Sequence, residues 1–293
     1  MTSAASESAA APPADRLGPL PRALWWKAWV EARLLLAALL TVAALFQVLY
    51  VWMSSQVELG ALEIFLKTLP RSFEKMLGIP LASLATPTGR LAMAYVHPVT
   101  IFVCVSWSIA RGSDCVSGEI GRGSMEMLLA QPVRRWAVVV THGVVTNVGA
   151  LLLALVSWLG TWFGIVVMGY GDRVHPADFG PAALNLFGFL FFLTAASTFA
   201  SALGSDRRTT IGWLCGFYLV QLLMKLVARA VEGFSWLQYG TYLAAFEPEV
   251  LSIHPETAWP TVLGHVACLT AGGVVCYAAA IYAFNKRDLP APL

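Results

Sequence analysis

Six uncharged apolar stretches divide this chain and leave it few possible folds. Runs free of Asp, Glu, Lys and Arg cover residues 34–57, 91–110, 136–171, 179–205, 209–224 and 257–285. A hydrocarbon core about 30 Å thick is crossed by about 20 apolar residues in a helix. Inside it only a helix or a closed barrel satisfies its own backbone hydrogen bonds. Long apolar runs without alternation specify helices. The fifth run is short, but Lys225 at its end can extend it by carrying its ammonium to the interface. The spans are therefore placed at about 34–56, 91–111, 136–168, 181–204, 209–229 and 258–285. This is an all-α membrane protein with six transmembrane helices, read as one domain over 21–293. Only 12% of the 293 residues are charged, about half the share of a soluble domain. No nucleic-acid partner is expected.

Orientation follows from the Lys and Arg residues flanking the spans. One side collects Arg16, Arg22, Lys27, Arg33, Arg111, Arg122, Arg134, Arg135, Arg207, Arg208, Lys286 and Arg287, twelve in all. The other side has seven: Lys67, Arg71, Lys75, Arg90, Arg173, Lys225 and Arg229. Both termini and the 112–135 loop are expected in the cytoplasm, with the protein in the cell (inner) membrane. The segment 54–90 reads as a partly helical outer segment. Residues 1–20, rich in Ala, Pro and Ser, read as a disordered tail, and because no basic stretch precedes a short apolar core there, no cleaved signal peptide is expected. Trp25, Trp26 and Trp29, interleaved with Lys27, Glu31 and Arg33, suit an amphipathic helix lying at the lipid headgroups before the first span. The lesser alternative is an aromatic belt on that span. Cys104, Cys115, Cys215, Cys268 and Cys276 have no Cys-x-x-Cys spacing, so neither a disulfide framework nor a zinc site is expected.

The loop between the second and third spans is the least ordinary part of the chain. Asp114 to Arg122 can prolong the second span as helix, and Gly121 and Gly123 then weaken it. Ser124 is placed as the cap of a new short helix with Glu126 in its first turn, where the macrodipole favours an anion. Met125, Leu128 and Leu129 share one apolar face and Glu126 points elsewhere. Gln131 before Pro132 ends the helix. A helix this short is unstable alone and must be held by its own bundle, by the membrane surface or by another protein. Arg134, Arg135 and Trp136 then anchor the start of the third span.

The run from Glu119 through Gly123-Ser-Met-Glu-Met-Leu-Leu-Ala-Gln-Pro-Val-Arg-Arg135 resembles the cytoplasmic loop of permeases of the ABC-2 type transporter family. There a glutamate precedes Gly-Thr-x-Glu-x-Leu-Leu, a proline and a Ser-Arg pair. Here Ser124 stands for Thr, and Arg134 stands for Ser and adds a charge. The resemblance implies that the loop is a coupling helix seated in a cleft of a separate ATPase subunit. Glu119, Arg122, Ser124, Glu126, Leu128, Leu129, Pro132 and Arg135 would be its docking residues. It also implies an interfacial helix carrying Trp25, Trp26, Lys27, Trp29 and Arg33, a homodimer of this chain within the lipid, and export of an unidentified cargo. ATP and Mg would sit on the partner. None of Lys27, Lys67, Lys75, Lys225 and Lys286 follows a glycine, so this sequence has no phosphate-cradling Gly-Lys-Ser/Thr loop, and no cofactor or enzymatic activity is expected of it.

Small-residue pairs Gly160/Gly164, Gly212/Gly216 and Ser197/Ser201 permit close helix approach, more often within a bundle than between chains. Asn147 is expected to bond a neighbouring helix. Lys225, Arg229 and Glu232 are placed as a ladder on one helix face. The segment 231–258 is expected to form short helices capping the outer vestibule. Two other classes compete. One is an intramembrane enzyme built around His97, His142 and His265, disfavoured because the sequence has no His-Glu-x-x-His or Gly-x-Ser-x-Gly pattern. The other is a scaffold or sensor whose loop binds some other cytoplasmic protein.

Overall fold

A computed structural model describes residues 22–57, 64, 66–131 and 133–287. The 1–20 tail and Pro132 lie outside the described residues. Six helices long and apolar enough to span a membrane carry the fold. Their main helices are α1 (Arg22–Ser55), α2 (Pro98–Ser113, the 16-residue centre of a second span that runs from Pro87 to Gly121), α3 (Arg135–Val167), α4 (Gly180–Leu203), α5 (Arg207–Ala230) and α6 (Pro255–Lys286). No strand occurs among the described residues. The spans alternate in direction, so the start of α1, the 114–135 loop, the α4–α5 turn and the end of α6 gather at one end of the bundle. The described residues of 56–97, with 168–179 and 231–254, form the distal end.

Two helix starts have clear chemical causes. Pro98 opens α2 at a position that needs no N–H donor, and His97 Nδ1 accepts the Val99 N–H at 3.2 Å. Asp206 caps α5, its Oδ2 accepting from Thr209 N at 2.8 Å and Thr209 Oγ1 at 2.9 Å. The second crossing is thereby broken. A short helix Pro87–Ala92 and a 3-10 turn Met93–Tyr95 lead to Pro98. The continuous apolarity of 91–110 conceals this joint. By contrast α1 has no break, so the tryptophan-rich segment forms its first turns. Leu24, Ala28 and Ala32 on the same turns are buried, while Trp26, Trp29 and Arg33 face outward.

The helix α4 is the centre of the bundle and packs against α2, α3 and α6, while α1 lies along α3. Lipid tails are as apolar as leucine, so such contacts depend on close fit rather than on expulsion of water. A Cβ added at Gly160 would meet Gln47 Cβ at 2.9 Å, and one at Gly164 would meet Val51 Cβ at 2.8 Å. That pair therefore serves α1–α3 packing. Gly212 and Gly216 meet nothing within 4 Å, and α5 is the least buried span. Asn147 does bond its neighbours: its Nδ2 donates to Tyr277 Oη at 2.7 Å, and its Oδ1 accepts from Thr194 Oγ1 at 3.1 Å.

The expected ladder of Lys225, Arg229 and Glu232 does not form. Lys225 Nζ donates to the Phe246 carbonyl at 2.5 Å, Arg229 pairs with Glu247 at 2.5 Å and Glu249 at 3.5 Å, and Glu232 pairs with Lys75 at 2.5 Å. The distal segments fold back onto α5 and offer these groups partners closer than one another. As expected, those segments hold short helices, at Arg71–Leu77, Leu81–Ala85, Pro87–Ala92 and Pro248–Ile253. All five cysteines are free.

Candidate coupling site at the 114–135 loop

After Ser113 the α2 backbone widens into a π-turn over Asp114–Gly118, the kind of irregularity that marks functional positions. Its loosened backbone groups are satisfied from α4. Ser201 Oγ accepts from Val116 N at 3.0 Å and Ser117 N at 2.9 Å, and donates to the Ser113 carbonyl at 2.9 Å. The approach is tight enough that a Cβ on Gly112 would meet Ser197 Cβ at 2.2 Å. Ser197 and Ser201 thus serve contact within the chain, and Ser201 adds hydrogen bonds that size alone does not suggest.

The π-turn carries a buried ionic hub. Asp114 faces three guanidinium groups: Arg122 at 2.7 Å, Arg207 at 3.3 Å and Arg111 at 3.6 Å. Glu119 accepts from Lys27 Nζ at 2.5 Å and from Arg122 Nη2 at 2.6 Å. Lys27 also pairs with Glu31 at 3.1 Å. Arg111, only 3% exposed, donates to the Ala28 carbonyl of α1 at 3.2 Å, and Arg207 donates to the Ala110 carbonyl at 3.1 Å. One network thus ties the root of the loop to α1, α2 and the start of α5. The Asp114 bond above all holds the Arg122 guanidinium more firmly protonated than usual. Carboxylate oxygens of Glu31, Asp114 and Glu119 lie within 4.8 Å of one another, a spacing suited to a divalent cation. Lys27, Arg111, Arg122 and Arg207 already supply the positive charge there.

Gly123, at φ 71°, turns the chain out of the hub into the short helix Ser124–Leu129. Ser124 was expected to cap this helix. Gly123 holds that position instead, and the Ser124 hydroxyl reaches back to donate to Glu119 Oε2 at 2.6 Å. The reversal follows from the buried carboxylate, an ionised acceptor that takes the hydroxyl as its donor, whereas a cap would use the same oxygen to accept from the first-turn N–H groups. Met125 is buried and Leu128 and Leu129 are half-buried, packed with Leu24, Val116, Val138, Ala202 and Phe284. Glu126 and Met127 point away from the protein, Met127 being 69% exposed, and Arg122 is exposed beside them.

The residues that the resemblance implies for docking thus divide, Pro132 lying outside the described residues. Glu119 and Ser124 are turned inward, Leu128 and Leu129 are shared, and Arg122 and Glu126 face outward. Arg135 does something else: its Nη1 donates to the carbonyls of Arg287 at 2.5 Å and Phe284 at 3.3 Å, stapling the start of α3 to the last turn of α6. Of the amphipathic set, Lys27 belongs to the hub, Trp25 is half-buried, and Trp26, Trp29 and Arg33 form an outward strip. Sequence reasoning missed Met127, an apolar residue that breaks the pattern of its own helix. It also missed Asp114, Arg111 and Arg207 as a unit. A triplet of charges abutting apolar spans was a signal, since such groups are retained only when paired.

The sequence matches a family model described as ABC-2 family transporter protein over residues 26–289. No curated protein matches it. With the match covering nearly all of the chain, all six spans and the loop, this protein belongs to the ABC-2 transporter family.

Proposed function

We propose that this chain is the permease subunit of an ATP-driven exporter, and that it engages a separate ATPase through the outward face of its loop helix. Arg122, Glu126 and Met127 form the centre of that face, with the edges of Leu128 and Leu129 beside them. The carrying observation is the division of the loop: its inner side is fixed by Met125 and the hub, while an exposed methionine flanked by opposite charges remains outside. A rigid, partly apolar patch with a charged rim has the make-up of a docking surface. The hub gives that surface a mechanical consequence. Force on the loop reaches α1 through Lys27 and α5 through Arg207, so a push on one short helix moves two spans together. ATP and Mg act on the partner subunit.

The loop end carries most of the positive charge, which supports a cytoplasmic loop and cytoplasmic termini in the cell (inner) membrane. The family resemblance favours export and a homodimer. Within the dimer, α5 is the face we assign to the second copy. Its open Gly212 and Gly216 permit close approach, and Trp213, Leu219, Val220 and Leu223 stand exposed beside them.

The test is purification of the tagged chain from its native membrane in mild detergent. A stoichiometric P-loop ATPase should co-purify, and Met127→Asp or Glu126→Arg should release it while the chain itself remains monodisperse. Retention of the ATPase by both variants, or co-purification of a different stoichiometric partner, overturns the docking assignment.

A further inference from the structure

A cavity of about 680 Å³ opens at the distal end of the bundle, far from the loop. Its walls come from the last turns of α1, the start of α2 and the distal half of α5, covered by residues of 76–93 and 243–249. Small-molecule sites have volumes of roughly 300–1,000 Å³. The lining is overwhelmingly apolar, with Met53, Met93, Ile101, Leu222 and Leu226 representative. Methionine walls adapt to flexible apolar chains.

Set into this wall are two cations that have no ion pair among the described residues. Arg90 is only 8% exposed. Its Nη1 makes one long bond to the Ala85 carbonyl at 3.3 Å, its Nε has no partner, and among the described residues it has no ion pair. Lys225 donates to the Phe246 carbonyl and lies 5.8 Å from the Phe246 ring, and among the described residues no carboxylate is within ion-pair distance of it, Glu247 and Glu249 acting on it only from farther away. Arg229 is satisfied by Glu247 and Glu249. Burial pushes the Glu249 carboxyl up, and what negative charge it carries is turned toward Arg229. A buried cation without a counter-charge is costly, and the cost disappears when an anion arrives from outside.

We propose that this cavity binds an amphiphile, a single apolar chain carrying a phosphate or carboxylate, with the anion on Arg90 and Lys225 and the chain along the methionine and leucine wall. Its role as cargo rests on the transporter reading above; its binding does not. Neither the apolar wall nor the cations alone choose this ligand class. A neutral apolar molecule leaves the cations unpaired, and a small inorganic anion leaves most of the cavity unfilled.

The full-length chain, without any ATPase, in phosphatidylcholine nanodiscs is the material for the test. The probe is a lysophosphatidic acid bearing a photoreactive diazirine near its chain end, with labelled peptides mapped by mass spectrometry. Labelling should concentrate in 50–57, 76–101 and 218–226. It should be suppressed by unlabelled lysophosphatidic acid or a fatty acid of equal length, and not by the uncharged monoacylglycerol or by inorganic phosphate. Arg90→Gln should reduce it about tenfold, the order expected for losing one charge-assisted hydrogen bond. Arg90→Lys should restore most of it. Leu222→Trp, which fills the cavity and spares the cations, should abolish it at unchanged melting temperature. Competition by monoacylglycerol equal to that by lysophosphatidic acid would overturn the role of the cations. Displacement by inorganic phosphate alone would overturn the role of the chain. Labelling that is indifferent to Leu222→Trp would overturn the location. Because no ATPase is present, none of these failures bears on loop docking.

Discussion

Removing the Asp114 charge should damage this protein more than removing any other charge of the hub. The reason lies in unequal exposure. The side chains of Arg122 and Arg207 are 45% and 39% exposed. Solvent screens them, and each pair with Asp114 is worth roughly 0.2–1 kcal/mol. Arg111 is different: it is 3% exposed, and the only carboxylate within 4 Å of it among the described residues is Asp114. Asp114→Asn keeps the shape but leaves that guanidinium buried and uncompensated, a change that typically costs about 3–5 kcal/mol. Arg111→Met in the same background removes the orphaned charge, and the double variant should recover about half of the loss or more. The assay is thermal unfolding in detergent, followed by reaction of a thiol dye with Cys104 and Cys115, both buried, after Cys215, Cys268 and Cys276 are replaced by Ser. Cys115 adjoins Asp114 and reports the hub, while Cys104 reports the core. Asp114→Asn should expose Cys115 at a markedly lower temperature than in the parent. Unfolding within about 0.5 kcal/mol of the parent, or a double variant no better than the single, would refute the reasoning.

Three further outcomes follow from the same geometry. Mild oxidation of the chain in membranes should yield a disulfide-linked dimer through Cys215, which is exposed next to Gly216, and Cys215→Ser should abolish it while Cys268→Ser does not. Dimers that persist without Cys215 would remove α5 from the interface. Glu249→Gln should be tolerated within about 1 kcal/mol, because burial makes its charge costly and its contact with Arg229, at 3.5 Å, is long. A carboxyl with a raised folded-state value stabilises the protein at low pH and loses that contribution as pH climbs from its ordinary value of 4.5 through the raised one, so Glu249→Gln should flatten the melting-temperature profile over that range. A steeper profile in the variant would show the charged form to be the stabilising one.

The membrane architecture was written in the sequence because crossing lipid demands long uncharged apolar runs, and the third to sixth helices lie within about three residues of the spans placed from sequence, whereas α1 starts at Arg22, well before the expected start at 34, because the tryptophan-rich segment forms its first turns. The second was obscured by Pro98, which opens a helix as readily as it breaks one. The fifth was recovered only by letting Lys225 extend it, although Lys225 in fact turns to the Phe246 carbonyl. The loop was recognisable from its spacing, but the orientation of its side chains was not. Glu119 and Glu126 look alike in sequence, seven residues apart, and the first is buried against Lys27 while the second faces outward. That difference is made by contacts across 92 residues, which no local pattern encodes. The distal cavity was equally invisible, since its walls come from five separated stretches of chain.

The most direct test of loop docking is site-specific photocrosslinking in living cells. A benzophenone amino acid placed at Met127 should capture a P-loop ATPase of the ABC class as its dominant adduct, and the same group at Met53, at the distal end of α1, should not. Capture of that ATPase at both positions, or of an unrelated protein at Met127, would contradict the account.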